Sequence, residues 1–220
     1  MTMMTQASPA DPHAGRPALR GGAPLASARA AMVMVHGRGG DAAGMLALAR
    51  ELGREDWACL APQAAANTWY PYGFMSPLAQ NEPGITSGMD AVARAIAEAE
   101  EAGIPAERIV LLGFSQGACL ATEFAARHAR RYGGVAALSG GLIGPDGTPR
   151  DYPGSLDGTP VFLGCSDVDG HIPATRVRES AEVLRALGGA VDMRLYPGMG
   201  HTINEDEIAA VRAIMDAVAA

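Results

Sequence analysis

The sequence predicts an α/β fold, a mostly parallel central sheet with helices on both faces and no large cap domain. Three observations lead there. Short runs that are apolar at every position recur along the chain, as expected of strands covered on both sides. The stretches between them repeat apolar residues at helical spacing. Strand and helix then alternate to the C-terminus, which favours right-handed crossovers and a parallel sheet. At 220 residues the chain suits a single domain able to bury a sizeable core.

Residues 1–24 are rich in Ala, Pro, Gly and Thr without periodicity, and read as a flexible tail or poorly ordered edge element, leaving 25–220 as the single domain. The first clear strand is Ala31–Val35. It runs into His36-Gly37-Arg38-Gly39-Gly40-Asp41, where Asp41 can cap a helix whose apolar positions are Met45, Leu48, Ala49 and Leu52. Trp57–Ala61 is the next strand. Between Pro62 and Gly84 most of the few aromatics collect among prolines, which reads as a loop lining an apolar pocket or covering the core's edge. Thr86–Asp90 opens a helix with Ser87 and Asp90 as a capping box, and Met89, Val92, Ala93, Ile96 and Ala97 as its apolar face, ended by Gly103.

Ile109–Leu112 feeds Gly113-Phe114-Ser115-Gln116-Gly117, a G-x-S-x-G pentapeptide that opens into a helical pattern from Ala118 to Arg131. Val135–Leu138 follows as a strand. Residues 139–159 are rich in Gly, Pro and Asp and too few for a cap domain. Strand Pro160–Gly164, helix Ala174–Leu187 and strand Val191–Tyr196 come next. Asn204 with Glu207 then caps a closing helix striped by Ile208, Val211, Met215 and Val218.

Sites in such sheets gather where strands end at their carboxyl side, and Arg38, Ser115, Asp169 and His201 all lie just beyond a strand. A serine hydroxyl needs a base to take its proton, and that base needs an acid to fix its tautomer. Ser115 is the candidate nucleophile and His201, flanked by Gly198 and Gly200, the candidate base. Asp169 is favoured over Asp167 as the acid because Pro173 suggests that it is held in the loop bend. The Gly37-x-Gly39-x-x-Ala42 run also fits a loose dinucleotide pattern, but the next strand ends in Pro62 without the acid that would hold a ribose. The better reading makes the backbone N–H groups of Arg38 and Gln116 an oxyanion hole, with His36 shaping the loop. Trp69, Tyr70, Phe74, Met75, Leu142 and Ile172 are candidates for the substrate pocket. His13 lies in the tail, His128 on a charged helix, and His171 sits too close to the candidate acids to be oriented by them. No histidine set has metal-ligand spacing, so no metal and no cofactor are expected.

A net charge of −7 provides no basic face for nucleic acid or anionic membrane. Cys59, Cys119 and Cys165 are widely spaced and read as small buried hydrophobes in a reducing compartment, the alternative being one disulfide pair with a cysteine left over. No leader pattern or long apolar run is present, so the cytoplasm is expected and stable membrane insertion is not. The partner expected is a small-molecule ester; the oligomeric state is open, a homodimer included.

From about Met32 onward the chain resembles the small cap-less carboxylesterases of the α/β-hydrolase superfamily, the phospholipase/carboxylesterase group related to acyl-protein thioesterases. His36-Gly37, Pro62-Gln63, Trp69, the Ser115 pentapeptide, Asp169 with Pro173, and Gly200-His201 carry the likeness. The resemblance implies Ser115, Asp169 and His201 as catalytic residues and the N–H groups of Arg38 and Gln116 as oxyanion hole. It implies hydrolysis of short- to medium-chain carboxylic esters through an acyl-serine. The alternative is an acyl-protein thioesterase or lysophospholipase with the same residues. In thioesterases of the group an aspartate often follows the Trp-aromatic pair, where this chain has Pro71, and proline is usual where it has Gly170. A non-catalytic binding module on the same fold is the remote alternative, for which a full nucleophile, base and acid would be superfluous.

Overall fold

The computed structural model describes residues 11–219, so the part of the tail reading that falls on residues 1–10 lies outside the described residues. In chain order the elements are β1 (Leu19–Gly22), β2 (Ala30–Val35), α1 (Ala42–Leu52), β3 (Trp57–Ala61), α2 (Leu78–Asn81), α3 (Gly84–Glu101), β4 (Ile109–Phe114), α4 (Gln116–Arg127), β5 (Gly134–Leu138), β6 (Pro160–Ser166), α5 (Ala174–Ala186), β7 (Ala190–Tyr196) and α6 (Glu205–Ala219). Seven strands form one sheet in the order β1-β3-β2-β4-β5-β6-β7. Only β1 runs antiparallel, against β3; the other pairings are parallel.

Alternation along each strand divides the core between two faces. On β2, Ala31, Val33 and Val35 join α3, α4 and α5 in one apolar cluster. Ala30, Met32 and Met34 face α1 and α6 in the other. Every residue of β2 is buried for this reason, and β3 and β5 are the same.

Three expectations need correction. Leu19–Gly22 is a strand on the sheet edge, and the Ala23 N–H donates to the Trp57 carbonyl at 2.8 Å, so the domain begins before residue 25. His13 is buried: its backbone N–H donates to Ser87 Oγ at 2.9 Å, while its ring accepts from the Ala65 N–H at 3.0 Å and reaches the Trp69 carbonyl at 2.9 Å. Polar contacts rather than apolar periodicity tie this segment down. Ser87 consequently lies inside α3 facing His13 and Asp11, not at a cap, and the Glu82 carboxylate instead accepts from the Thr86 N–H at 3.0 Å. Residues 139–159, between β5 and β6, contain no helix or named strand. Arg176, buried within α5, holds this loop by donating to the carbonyls of Leu142 and Gly144 at 2.9 and 2.6 Å. Among the described residues no helix is long and apolar enough to cross a membrane.

Candidate active site

Ser115 joins β4 to α4 at φ 54° and ψ −121°, a left-side conformation that a non-glycine residue adopts only when its surroundings enforce it. The enforcement is steric. A Cβ on Gly117 would lie 2.1 Å from the Val35 carbonyl oxygen, and one on Gly113 2.3 Å from that of Gly117. The helix start is thereby pressed against two strand ends, where only glycine fits.

His201 arrives on the loop after β7. Its Nε2 lies 2.8 Å from Ser115 Oγ, and its Nδ1 lies 2.7 Å from Asp169 Oδ2. That pattern sets the tautomer: Nδ1–H donates to the carboxylate and Nε2 is left to accept from the hydroxyl. Asp169 has no exposed side-chain surface. Its Oδ1 accepts from the backbone N–H groups of His171 and Ile172 at 2.8 and 3.1 Å, and the Cys165 thiol lies 3.7 Å from Oδ2. Burial alone pushes its pKa up, but the hydrogen bonds from His201, His171 and Ile172 outweigh that and hold it below the ordinary aspartate value.

Asp167 has a different task. Its Oδ1 accepts from the Gly198 N–H at 2.8 Å, and Ser166 Oγ accepts from the Gly200 N–H at 3.1 Å, which pins the loop that presents His201. Behind it, Asn204 and Glu207 exchange side-chain-to-backbone hydrogen bonds at 2.9 Å each, the capping box of α6. Glu207 is fully buried, with one carboxylate oxygen unpartnered, and burial pushes its pKa up to about 7.

His36 is neutralised by its surroundings. It is buried, its Nδ1 contacts the Gly37 carbonyl at 2.7 Å, its Nε2 accepts from the Ala64 N–H at 3.1 Å, and burial lowers its pKa. The ring therefore shapes the glycine loop. Gln116 is the first residue of α4, so its N–H has no acceptor within the helix. The Arg38 N–H makes no hydrogen bond to the rest of the described chain.

A cleft of about 290 Å³ opens beside Ser115, lined by Arg38, Tyr70, Phe74, Gln116, Ile172 and His201 among others. Of the pocket candidates, Tyr70, Phe74 and Ile172 lie on it, and three others do not. Trp69 is fully buried, its ring tilted 34° to that of His36 with centroids 4.9 Å apart and Nε1 donating to the His36 carbonyl at 2.8 Å, so its side chain braces the glycine loop. Leu142 is fully buried, with its carbonyl held by Arg176, and Met75 packs against the core. Sequence reasoning missed Cys119 and His171, which both line the cleft; the His171 ring stands edge-on to His201 at 4.8 Å. His171 follows the acid by two residues, and the bend around Asp169 turns it back over the cleft.

A seven-stranded, mostly parallel sheet delivering a strained serine, an imidazole and a buried carboxylate to one edge has the architecture of the α/β-hydrolase fold. Within that class, the chain belongs to the phospholipase/carboxylesterase family, whose description matches residues 23–219. A solved phospholipase/carboxylesterase from Dyadobacter fermentans is 44% identical, with a TM-score of 0.88 over 91% of this chain and 96% of that one. Acyl-protein thioesterase 1 of Gibberella zeae is 36% identical over 118 residues, 52% of this chain and 50% of that protein. The chain thus spans about half the length of that curated relative. Acyl-protein thioesterase 1 of Saccharomyces cerevisiae is 26% identical over 86% of this chain and 93% of its own.

Proposed function

We propose that the protein is a serine carboxylesterase that hydrolyses short- to medium-chain carboxylic esters through an acyl-serine intermediate. The observation that carries this reading is the unbroken relay from Ser115 Oγ through His201 to Asp169, with contacts of 2.8 and 2.7 Å. His201 Nε2 takes the hydroxyl proton as Oγ attacks the ester carbonyl. Asp169 steadies the imidazolium, and the N–H groups of Arg38 and Gln116 receive the oxyanion, with the α4 dipole favouring negative charge at its start. The imidazolium returns its proton to the departing alcohol. Water then attacks the acyl-serine by the same route and releases the acid.

The cleft volume of about 290 Å³ supports a small ester, since it lies just below the roughly 300–1,000 Å³ range of small-molecule pockets. Likeness to proteins named acyl-protein thioesterase 1 favours a second reading, thioester or lysophospholipid hydrolysis by the same residues. Two measurements test these readings. A fluorophosphonate probe should label the wild type and not Ser115→Ala; an unlabelled wild type ends the serine-hydrolase reading. Across a substrate panel, short acyl esters should outrun long-chain thioesters and lysolipids, and the reverse ranking selects the second reading.

A further inference from the structure

The side chains of both oxyanion-hole residues are engaged by one short piece of chain. Arg38 Nη1 donates to the Pro71 carbonyl at 2.9 Å, and Nη2 donates to those of Tyr70 and Tyr72 at 2.9 and 2.7 Å. Gln116 Oε1 accepts from the Trp69 N–H at 2.9 Å, while its Nε2 donates to the Tyr70 carbonyl at 2.8 Å. The Tyr70 carbonyl therefore ties the two together. Residues 69–74 form no helix or strand and make a strap over the glycine loop, and its side chains Tyr70 and Phe74 are cleft walls.

The two anchors differ in stiffness. Gln116 begins a buried helix locked between strand ends, whereas Arg38 sits among Gly37, Gly39 and Gly40, with Gly39 at φ 76°. A loop so rich in glycine has little conformational preference of its own, so its seat is set by what holds it: the Gly39 N–H on the Asn67 carbonyl at 2.8 Å on one side of Arg38, and the Arg38 side chain on the strap. The strap is bolted to the rigid helix through Gln116, and the soft half of the oxyanion hole hangs from the strap through Arg38. A group that presses on Tyr70 or Phe74 thus moves the donor that must meet the oxyanion.

We propose that Arg38 and Gln116 are specificity-determining positioning residues: by tying strap 69–74 to the oxyanion hole, their side chains make the fit of the acyl group register in kcat rather than in KM. This rests on the esterase reading above. Donor placement is felt mainly in the transition state, where a misplacement of about 1 Å costs on the order of a hundredfold in rate.

The test is steady-state kinetics on p-nitrophenyl acetate, butanoate, hexanoate and octanoate with the wild type, Arg38→Lys, Gln116→Met and Asn81→Ala. The first two variants keep the backbone N–H groups and loosen the tie. Asn81 holds the same strap, accepting from the Tyr72 N–H and donating to the Gly73 carbonyl at 2.9 Å each, without touching either oxyanion residue. In Arg38→Lys and Gln116→Met, kcat on the best ester should fall about tenfold or more with KM within about threefold, and the spread of kcat across the series should narrow. In Asn81→Ala both anchors stay tied to the strap, so the spread of kcat across the series should persist whatever happens to KM. The two anchors are separate, so if thermal melting shows one variant unfolded, the other decides. The inference is overturned if the anchor variants change KM alone, or lower kcat by one factor for every acyl chain. A wild type that neither turns over nor labels removes the esterase reading itself and this inference with it; an active wild type with uniform variants removes only this inference.

Discussion

Replacing Asp169 by Asn tests the relay with almost no change of shape. The two backbone donors, His171 N–H at 2.8 Å and Ile172 N–H at 3.1 Å, require an acceptor and so fix the amide oxygen on their side. The amide NH₂ then occupies the place of Oδ2, facing the His201 Nδ1–H at 2.7 Å and the Cys165 thiol at 3.7 Å. Donor meets donor. The imidazole escapes by shifting its proton to Nε2, which turns the atom facing Ser115 from acceptor to donor and removes the base. A wrong tautomer of this kind lowers kcat by about 10⁴-fold, or about 5.5 kcal/mol of transition-state stabilisation. Asp167→Asn should stay within about threefold, because an amide oxygen still accepts from the Gly198 N–H. The assay is kcat on p-nitrophenyl butanoate, with the fluorophosphonate labelling rate as a second reading of nucleophile activation. Equal losses in the two variants would refute the assignment of the acid. A stability difference should accompany the kinetic one. The folded pKa of Asp169 lies below its ordinary value, so its contribution is complete above 3.8 and is lost as pH falls through the folded value. Denaturation midpoints of wild type and Asp169→Asn should therefore differ at neutral pH and converge in strong acid.

Glu207 has the opposite sign: its pKa rises from 4.5 to about 7, so the folded state holds the extra proton and stability falls between those pH values, by about 3 kcal/mol at 1.36 kcal/mol per unit. The difference in unfolding free energy between wild type and Glu207→Gln should carry that slope from pH 4.5 to about 7 and level off above it; a flat difference throughout refutes it. His13→Ala deprives the Trp69 carbonyl and Ala65 N–H of their buried partner and should cost about 3 kcal/mol in urea unfolding, against almost nothing if the segment were a free tail. Gly117→Ala sets a methyl 2.1 Å from the Val35 carbonyl oxygen and should lose about 4 kcal/mol or fail to fold, measured by thermal melting; a folded variant of wild-type stability would contradict the packing argument.

The strands were readable because burial on both faces leaves an unbroken apolar run that no surface helix shows; β2, β4 and β5 are cases. Ser115 was readable because close packing demands glycine at 113, against the Gly117 carbonyl, and at 117, against the end of β2, and both demands fall in one short motif. What escaped is held by distant partners. The Leu-Arg-Gly-Gly of β1 has no strand pattern and pairs only because β3 offers it an edge. His13 bonds to Ser87 and Trp69, 74 and 56 residues away. Trp69 looked like a pocket residue among aromatics, but the direction of its ring is set by the carbonyl of His36. The Arg38 and Gln116 side chains bond backbone carbonyls and, at Trp69, a backbone N–H, groups that the main chain carries throughout and no sequence marks.

Register explains why three residues so far apart in sequence meet. Val35 pairs with Gly113, Phe114 with Leu138, Leu138 with Gly164, and Ser166 with Tyr196, so the carboxyl ends of β2, β4, β5, β6 and β7 finish side by side. Whatever follows each strand must emerge along one edge: the glycine loop, Ser115, the Asp169 bend and the His201 loop. A slip of one residue in any pairing would turn core side chains to the wrong face, and both faces of this sheet are filled. The apolar core that fixes the register therefore also fixes the 2.7 and 2.8 Å contacts at its rim. The strain at Ser115, on the order of 1–3 kcal/mol, is small beside the burial that a slip would forfeit, which is why the chain holds the serine in a conformation it would not otherwise adopt.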